Sequence, residues 1–321
     1  MKEEVLEILQ CPQCGGGLRI EIVEEKTGEI RRGGLVCSGD RRHRYPIVDG
    51  IIRFASGFDH EAVRKELAYE NSTYTGDVRL TDPDIIGRFP DTLGLLWPDT
   101  VHFGLNFRML IDHLPSITSK SWILDVGAGA CWSSRLLAQH GGRVMALDVT
   151  DADYYGLKAA DIHFRAHGVY FERMLESMTH LPLRNESLDC ITFNAAIHHT
   201  PDLHRTLREC HRTLKPGGVA AIVNEEFVSV RHRFLSPRKE VTDTGSHHDI
   251  SYREFESAAK ATGFALQYFV ARHVREQLRH RLTPGLRDVL VRVFERFPAL
   301  LKQLNSALVV ITKTQNTIRA E

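Results

Sequence analysis

Apolar and polar positions along this chain follow two different rhythms. From residue 122 onward, apolar runs of strand length alternate with stretches whose apolar residues recur every three or four positions. Strands are predicted at 122–126, 143–148, 190–194, 219–223, 264–271 and 307–312. Helices are predicted at 133–139, 203–214, 251–262 and 284–304. This alternation predicts an α/β fold with a doubly wound sheet. Upstream the rhythm differs. Residues 24–34 are polar and read as a hairpin. The run Tyr45-Pro46-Ile47-Val48-Asp49-Gly50-Ile51 reads as strand, Asp-Gly turn, strand. Residues 60–70 and 102–114 have helical spacing, and 81–90 are turn-rich with two prolines. The expected organisation is a small β module at 1–56, a helical connecting region at 57–120 and an α/β domain at 121–321.

A chain of 321 residues can bury a sizeable core. Lysine plus arginine (41) equals aspartate plus glutamate (41), which argues against a dedicated nucleic-acid groove. No apolar run reaches membrane-span length. The start, residues 1–10, alternates charge with Leu and Ile and does not read as a signal peptide. Six cysteines in a chain of this size do not make a disulfide scaffold, and a reducing, cytoplasmic setting is expected.

Three of those cysteines cluster early. Cys11-Pro12-Gln13-Cys14-Gly15-Gly16 is a CxxC knuckle whose two thiolates can reach one ion, and Cys37 returns after the hairpin. A fourth ligand is needed. His43 is preferred over Asp40, because imidazole suits a thiolate-rich zinc site better than carboxylate. The competing readings are a knuckle that has lost its metal and a redox pair, and no βαβ pattern surrounds it to support the latter. With the Y-P-I-V-D-G-I run, this segment resembles the small zinc-binding domain of the tRNA-methyltransferase activator family. In that family the domain is fused to, or partners with, a methyltransferase. Ile52 stands where its pattern has a final proline.

The run Ile123-Leu124-Asp125-Val126-Gly127-Ala128-Gly129-Ala130-Cys131 is an apolar strand ending in an acid, then two glycines, then a helix. Glycines there let backbone approach a ligand. A dinucleotide fold wants a small third residue where Trp132 stands. The run resembles motif I of class I S-adenosylmethionine-dependent methyltransferases, with Cys131 replacing the last glycine. Asp148 ends the next apolar strand about 20 residues on, where a carboxylate can accept both ribose hydroxyls. Leu181-Pro182-Leu183-Arg184-Asn185-Glu186-Ser187-Leu188-Asp189 resembles another stretch of that class. So does Leu214-Lys215-Pro216-Gly217-Gly218, whose proline and glycines stop a helix and turn the chain.

The resemblance implies a Rossmann-like seven-stranded methyltransferase sheet with a small N-terminal zinc-binding β module. It implies S-adenosylmethionine held by Asp125, Gly127, Gly129 and Asp148. Ser177 stands where the family often has an acid for the adenine amine, Met178 can touch the ring, and Asn194 can contact the cofactor's amino-acid end. Beyond the fourth strand, His198 and His199 are the general-base candidates, and which of them faces the pocket is left open. Asn224, Glu225 and Glu226 sit at the fifth strand's outlet. Tyr74, Trp97, His102 and Asn106 are candidate pocket residues in the connecting region, and 231–250 reads as a loop or lid.

The function expected is methyl transfer to a small-molecule acceptor, with a structural zinc ion. One alternative is an RNA methyltransferase whose module grips RNA through Arg31, Arg32, Arg41, Arg42 and Arg44. Another is a non-catalytic S-adenosylmethionine-binding scaffold. The basic amphipathic run 284–304 can lie on a membrane. More often such a face packs on its own domain or a second copy, which leaves a homodimer open as a partner.

Overall fold

A computed structural model of the chain describes residues 1–39, 42–56, 61, 63, 81–225, 227, 250–297 and 307–314. The expected helix at 60–70 (Glu61 and Val63 apart), the loop at 231–249, and Asp40, Arg41, Tyr74 and Glu226 lie outside them.

Among the described residues, eleven strands form a single sheet. They are β1 (Leu18–Lys26), β2 (Glu29–Cys37), β3 (Arg44–Val48), β4 (Ile51–Arg53), β5 (Trp122–Val126), β6 (Arg143–Asp148), β7 (Glu172–Leu175), β8 (Leu188–Asn194), β9 (Leu214–Val223), β10 (Phe264–Val270) and β11 (Ala307–Lys313). Their spatial order is β1-β2-β3-β4-β7-β6-β5-β8-β9-β11-β10. The seven strands from β7 to β10 are the expected Rossmann-like sheet, parallel until β11 enters antiparallel between β9 and β10. The N-terminal module is not a separate layer. Its last strand, β4, pairs parallel with β7, Ile51 opposite Arg173 and Ile52 opposite Met174, so the module continues the sheet.

Alternation along the strands separates two cores. Ile123, Val144, Ala146, Cys190 and Ala221 face one side, under the helices Phe103–Asp112, Trp132–Gln139 and Ala160–His167. Leu124, Met145, Ile191, Phe193 and Ile222 face the other, under Leu203–Thr213 and Tyr252–Ala261, and share that core with Leu35, Tyr45 and Ile47 of the module. Caps follow sequence chemistry. Asp202 accepts from the Arg205 N–H at 2.8 Å, and Ser251 accepts from the Glu254 N–H at 3.1 Å. A helix at Arg272–Arg281 was not expected from the sequence. The helix Pro284–Arg296 packs on its own domain through Val291 and Phe294, while Leu286 and Val289 stay exposed. No helix among the described residues is long and apolar enough to cross a membrane.

A buried ion cluster fastens the module. Arg173, fully buried on β7, donates to Glu29 Oε1 at 2.6 Å, to the Asp49 carbonyl at 2.9 Å and to Asp161 Oδ1 at 2.9 Å. Arg31 reaches the same Asp161, whose carboxyl is held below the usual range by these guanidiniums against the opposing effect of burial. Gly50 makes room for the cluster. Its φ is +77°, and a Cβ there would sit 2.2 Å from Glu29 Oε1 and 2.5 Å from Arg173 Nη2. Removing one partner of a buried pair strands the other's charge. Arg173→Ala is therefore expected to cost about 3–5 kcal/mol, read as a lowered midpoint of urea unfolding. A loss below about 1 kcal/mol would count against the cluster as the fastening.

Candidate functional site

The turn after β5 is shaped by hydrogen bonds to its neighbour. The N–H groups of Gly127 (2.9 Å) and Ala128 (3.0 Å) both donate to the Leu147 carbonyl at the end of β6. Gly127 has φ +67°, and a Cβ on it would lie 2.6 Å from the Ala196 Cβ. Gly129 has φ +48°, and a Cβ on it would meet only the Tyr155 carbonyl, at 3.9 Å. Cys131, in place of the family's last glycine, also has φ +60° and is buried. The left-handed backbone that glycine suits is kept, and cysteine adopts it. Burial pushes its thiol well above the ordinary range, so Cys131 is inert packing.

Asp125 corrects one expectation. Its carboxylate is 1% exposed and accepts from Ser133 Oγ (2.6 Å), Ser134 Oγ (2.6 Å) and Thr192 Oγ1 (2.8 Å). Burial raises its pKa, and the three hydroxyl bonds oppose that rise. It braces β5, β8 and the first turn of the helix Trp132–Gln139, and does not face the open edge.

Asp148 stands at that edge. Its Oδ2 accepts from the Gly129 N–H at 2.8 Å and its Oδ1 from the Thr150 N–H at 3.0 Å. Burial pushes its pKa up to about 6 in spite of these bonds, and the Asp125 charge adds to the rise. The Gly129, Thr150 and Val149 backbone donors thus fix the carboxylate plane.

The third outlet is less as expected. Ser177 Oγ lies 2.8 Å from Thr179 Oγ1 in a local turn, and Met178 is packed into the core. Glu176, one residue before, accepts from Ser56 N (2.9 Å), Ser56 Oγ (2.6 Å) and the Ser177 N–H (2.8 Å), which ties the module's end to this loop.

At the β8 and β9 outlets a chain of amides runs inward. Asn224 Nδ2 donates to Asn194 Oδ1 (2.8 Å) and to the Phe103 carbonyl (3.2 Å). Asn106 Nδ2 donates to Asn224 Oδ1 (2.9 Å), and the His273 backbone N–H donates to Asn106 Oδ1 (3.1 Å). The Phe103 carbonyl and the His273 N–H fix the chain's direction, so Asn194 accepts with Oδ1 and its Nδ2 is the donor toward the edge. Burial, with His102 beside it at 4.4 Å between ring centroids, pushes the His273 pKa down to about 4. The candidate pocket residues His102 and Asn106 thus join this outlet, while Trp97 packs near Phe89, 6.5 Å between centroids. His198 Nδ1 meets Glu225 Oε2 at 2.7 Å, and the His199 ring lies 4.2 Å from that of His198. Sequence reasoning placed Glu225 at the outlet but did not pair it. It missed Asn224 and His273 as partners of Asn106, because those contacts span 118 and 167 positions.

The module holds a second cluster, away from these strand outlets. One ligand atom from each of Cys11, Cys14, Cys37 and His43 lies within 4.8 Å of the others. Cys14 and Cys37 Sγ are 3.4 Å apart, and Cys11 Sγ is 3.5 Å from His43 Nδ1. A Cβ on Gly16 would press on both the Cys14 and Cys37 sulfurs at 3.3 Å. Three thiolates and an imidazole converging in this way fit a tetrahedral ion.

Comparison with known proteins accords with both parts. Residues 124–222 match the family described as methyltransferase domain, and residues 2–50 match the family described as Trm112p-like protein. The chain is 33% identical over 115 residues to malonyl-[acyl-carrier protein] O-methyltransferase of Hamiltonella defensa, covering 36% of this chain and 41% of that protein. It is 33% identical over 109 residues to ubiquinone biosynthesis O-methyltransferase of Pseudomonas fluorescens, covering 34% and 45%. The chain thus spans less than half the length of these curated relatives. Among solved structures it is similar to a complex of the Haloferax volcanii Trm112 methyltransferase activator with a methyltransferase. The identity there is 16%, the TM-score 0.47, and the coverage 73% of this chain and 97% of that one.

The close approach of Gly127 to Ala196 generates a test. Gly127→Ala is expected to cost about 2 kcal/mol or more, from left-handed strain and overpacking. Adding Ala196→Gly should recover the overpacking share in thermal unfolding. If the double variant melts no higher than Gly127→Ala alone, the contact is not what demands glycine.

Proposed function

We propose that this chain, in which a Trm112p-like domain runs on into a methyltransferase domain, transfers the methyl group of S-adenosylmethionine to a small-molecule acceptor. The observation that carries this reading is the Asp148 carboxylate, set by the Gly129 and Thr150 amides at the carboxyl edge beside an open glycine turn. Ligands of doubly wound sheets bind at that edge. Asp148 would accept the two ribose hydroxyls, and the Gly127–Gly129 backbone would lie along the cofactor. Ser177 and Met178 would border the adenine, more by backbone and shape than by charge. Asn194 would offer its amide donors to the cofactor's carboxylate. The sulfonium supplies an activated methyl, so the protein's work is to align the acceptor and exclude water. His198 and His199 lie where that acceptor would enter. The O-methyltransferase names of the relatives support a small acceptor.

The RNA reading is less favoured. Of the module's described arginines, Arg31 is engaged with Glu29 and Asp161, and Arg32 and Arg44 pair with Glu24 and Glu21, so each would have to exchange a carboxylate for a phosphate. Cys131 and Ser177, which depart from the resembled family's pattern, are what favour the scaffold reading, and the turn keeps its left-handed geometry at Cys131. Zinc is the ion that Cys11, Cys14, Cys37 and His43 would hold, in a structural role, since four protein ligands leave no open position.

Two measurements test this. Asp148 is needed ionised, so affinity for S-adenosylmethionine by calorimetry should be full near pH 7.5 and fall as pH drops through about 6. The apo protein runs the other way. A carboxyl with a raised folded pKa adds stability at low pH that is lost as pH rises through that value, so the Asp148 contribution to apo stability should decline as pH rises through about 6, and Asp148→Asn, whose NH₂ must face a backbone N–H, should lose cofactor affinity. Unchanged affinity in that variant would refute the pose. For the module, Cys37→Ser should release metal and lower the melting temperature. Elemental analysis finding no zinc in the wild-type protein would remove the ion from the account.

A further inference from the structure

Glu225 is almost completely buried at the end of β9, and both of its oxygens are used. Oε1 accepts from the backbone N–H groups of Ala196 (2.5 Å) and Ile197 (2.7 Å). Oε2 faces His198 Nδ1 at 2.7 Å. A carboxylate held by two N–H groups is an acceptor only, so the imidazole proton sits on Nδ1 and the ring's basic lone pair is on Nε2. The His198 side chain is 21% exposed and Glu225 only 2%, so the ring reaches the edge while its partner stays inside. This is the arrangement by which a buried carboxylate sets a histidine's tautomer and steadies the imidazolium formed when Nε2 takes a proton.

Such a pair is superfluous for many methyl acceptors. A thiolate, a carboxylate or a neutral amine already offers its lone pair. A hydroxyl is a poor nucleophile until its proton leaves. We infer that the acceptor presents a hydroxyl group, that His198 is the base that takes its proton, and that Glu225 is the positioning residue. The inference rests on the methyl-transfer reading above. In the step, the hydroxyl oxygen forms a new O–C bond to the methyl carbon as the C–S bond breaks. The broken bond's electron pair stays on sulfur, which becomes a neutral thioether. The hydroxyl proton passes to His198 Nε2, giving an imidazolium beside the Glu225 carboxylate, and later leaves to water.

Glu225 also caps the short turn Ile197–His199, so its removal could act through structure alone. Glu225→Gln separates the two roles. Its carbonyl can keep the Ala196 and Ile197 N–H groups, while its NH₂ donates to Nδ1 and drives the imidazole proton onto Nε2, where it blocks base action. The experiment uses the full chain with S-adenosylmethionine and a panel of phenols, aliphatic alcohols and hydroxy acids, with amines and thiols of matching shape. Methyl transfer is expected to the hydroxyl members. Glu225→Gln should lower kcat by about 10³-fold or more, with KM, cofactor affinity and melting temperature nearly unchanged. Nitrogen-15 spectra of the imidazole should move from the Nδ1–H to the Nε2–H form. Wild-type kcat in Glu225→Gln, transfer to amines or thiols in preference to hydroxyls, or no hydroxyl methylated by a protein that binds S-adenosylmethionine would each overturn the inference. Failure of the wild-type protein to bind S-adenosylmethionine at all would instead bring down the methyl-transfer reading beneath it.

Discussion

The Asp125 carboxylate is the constraint on which the rest of the site depends. It is a buried charge from β5, and burial of a charge is costly unless donors surround it. Here three hydroxyls do so, two from the helix that follows the glycine turn and one from the adjoining strand β8. Strand, turn, helix start and neighbouring strand are thereby locked into one arrangement. That arrangement lets the Gly127 and Ala128 amides bond to the end of β6 and sends the Gly129 amide to Asp148. Two acids that look alike in the sequence, each ending an apolar strand, thus divide their labour. One is sealed inside as a brace by side-chain hydroxyls, and the other is set at a strand end by backbone amides.

The outlets of β8 and β9 obey a similar logic of direction. Every amide in the Asn194–Asn224–Asn106 chain could in principle be turned either way. A backbone carbonyl at one point and a backbone N–H at another remove that freedom, and the polarity propagates to the last member. Helices from two distant parts of the chain, Phe103–Asp112 and Arg272–Arg281, are joined to the sheet edge through these bonds. The strand ends are therefore presented by a polar scaffold of directed hydrogen bonds.

Much of this was legible in the sequence where the signal is local. The apolar run ending at Asp148 coincides with β6, the Asp49-Gly50 turn joins β3 to β4, and the helix read at 251–262 forms behind its Ser251 cap. What was not legible depends on partners far along the chain. The helix Arg272–Arg281 has charged or polar residues at eight of its ten positions, and only Val274 and Leu278 carry its apolar signal. Asp125 looked like a ligand contact because nothing in its neighbourhood announces Thr192, 67 positions away. Glu225 and His198 are 27 apart, on different strand ends, and only the parallel pairing of β8 with β9 brings them together. The module's membership in the main sheet rests on β4, three residues long, too short for a pattern to name β7 as its neighbour.

That short pairing has a consequence for solubility. An α/β sheet ending at β7 would offer a row of unpaired backbone groups, a template on which another chain could polymerise. Four added strands carry that boundary about 19 Å away. The new border, β1, exposes Ile22 and Val23 but flanks them with Arg19, Glu21, Glu24, Glu25 and Lys26, and its register breaks on either side of Glu24. The small module therefore also works as a terminal cover, putting a charged, kinked margin where a flat and adhesive one would otherwise be.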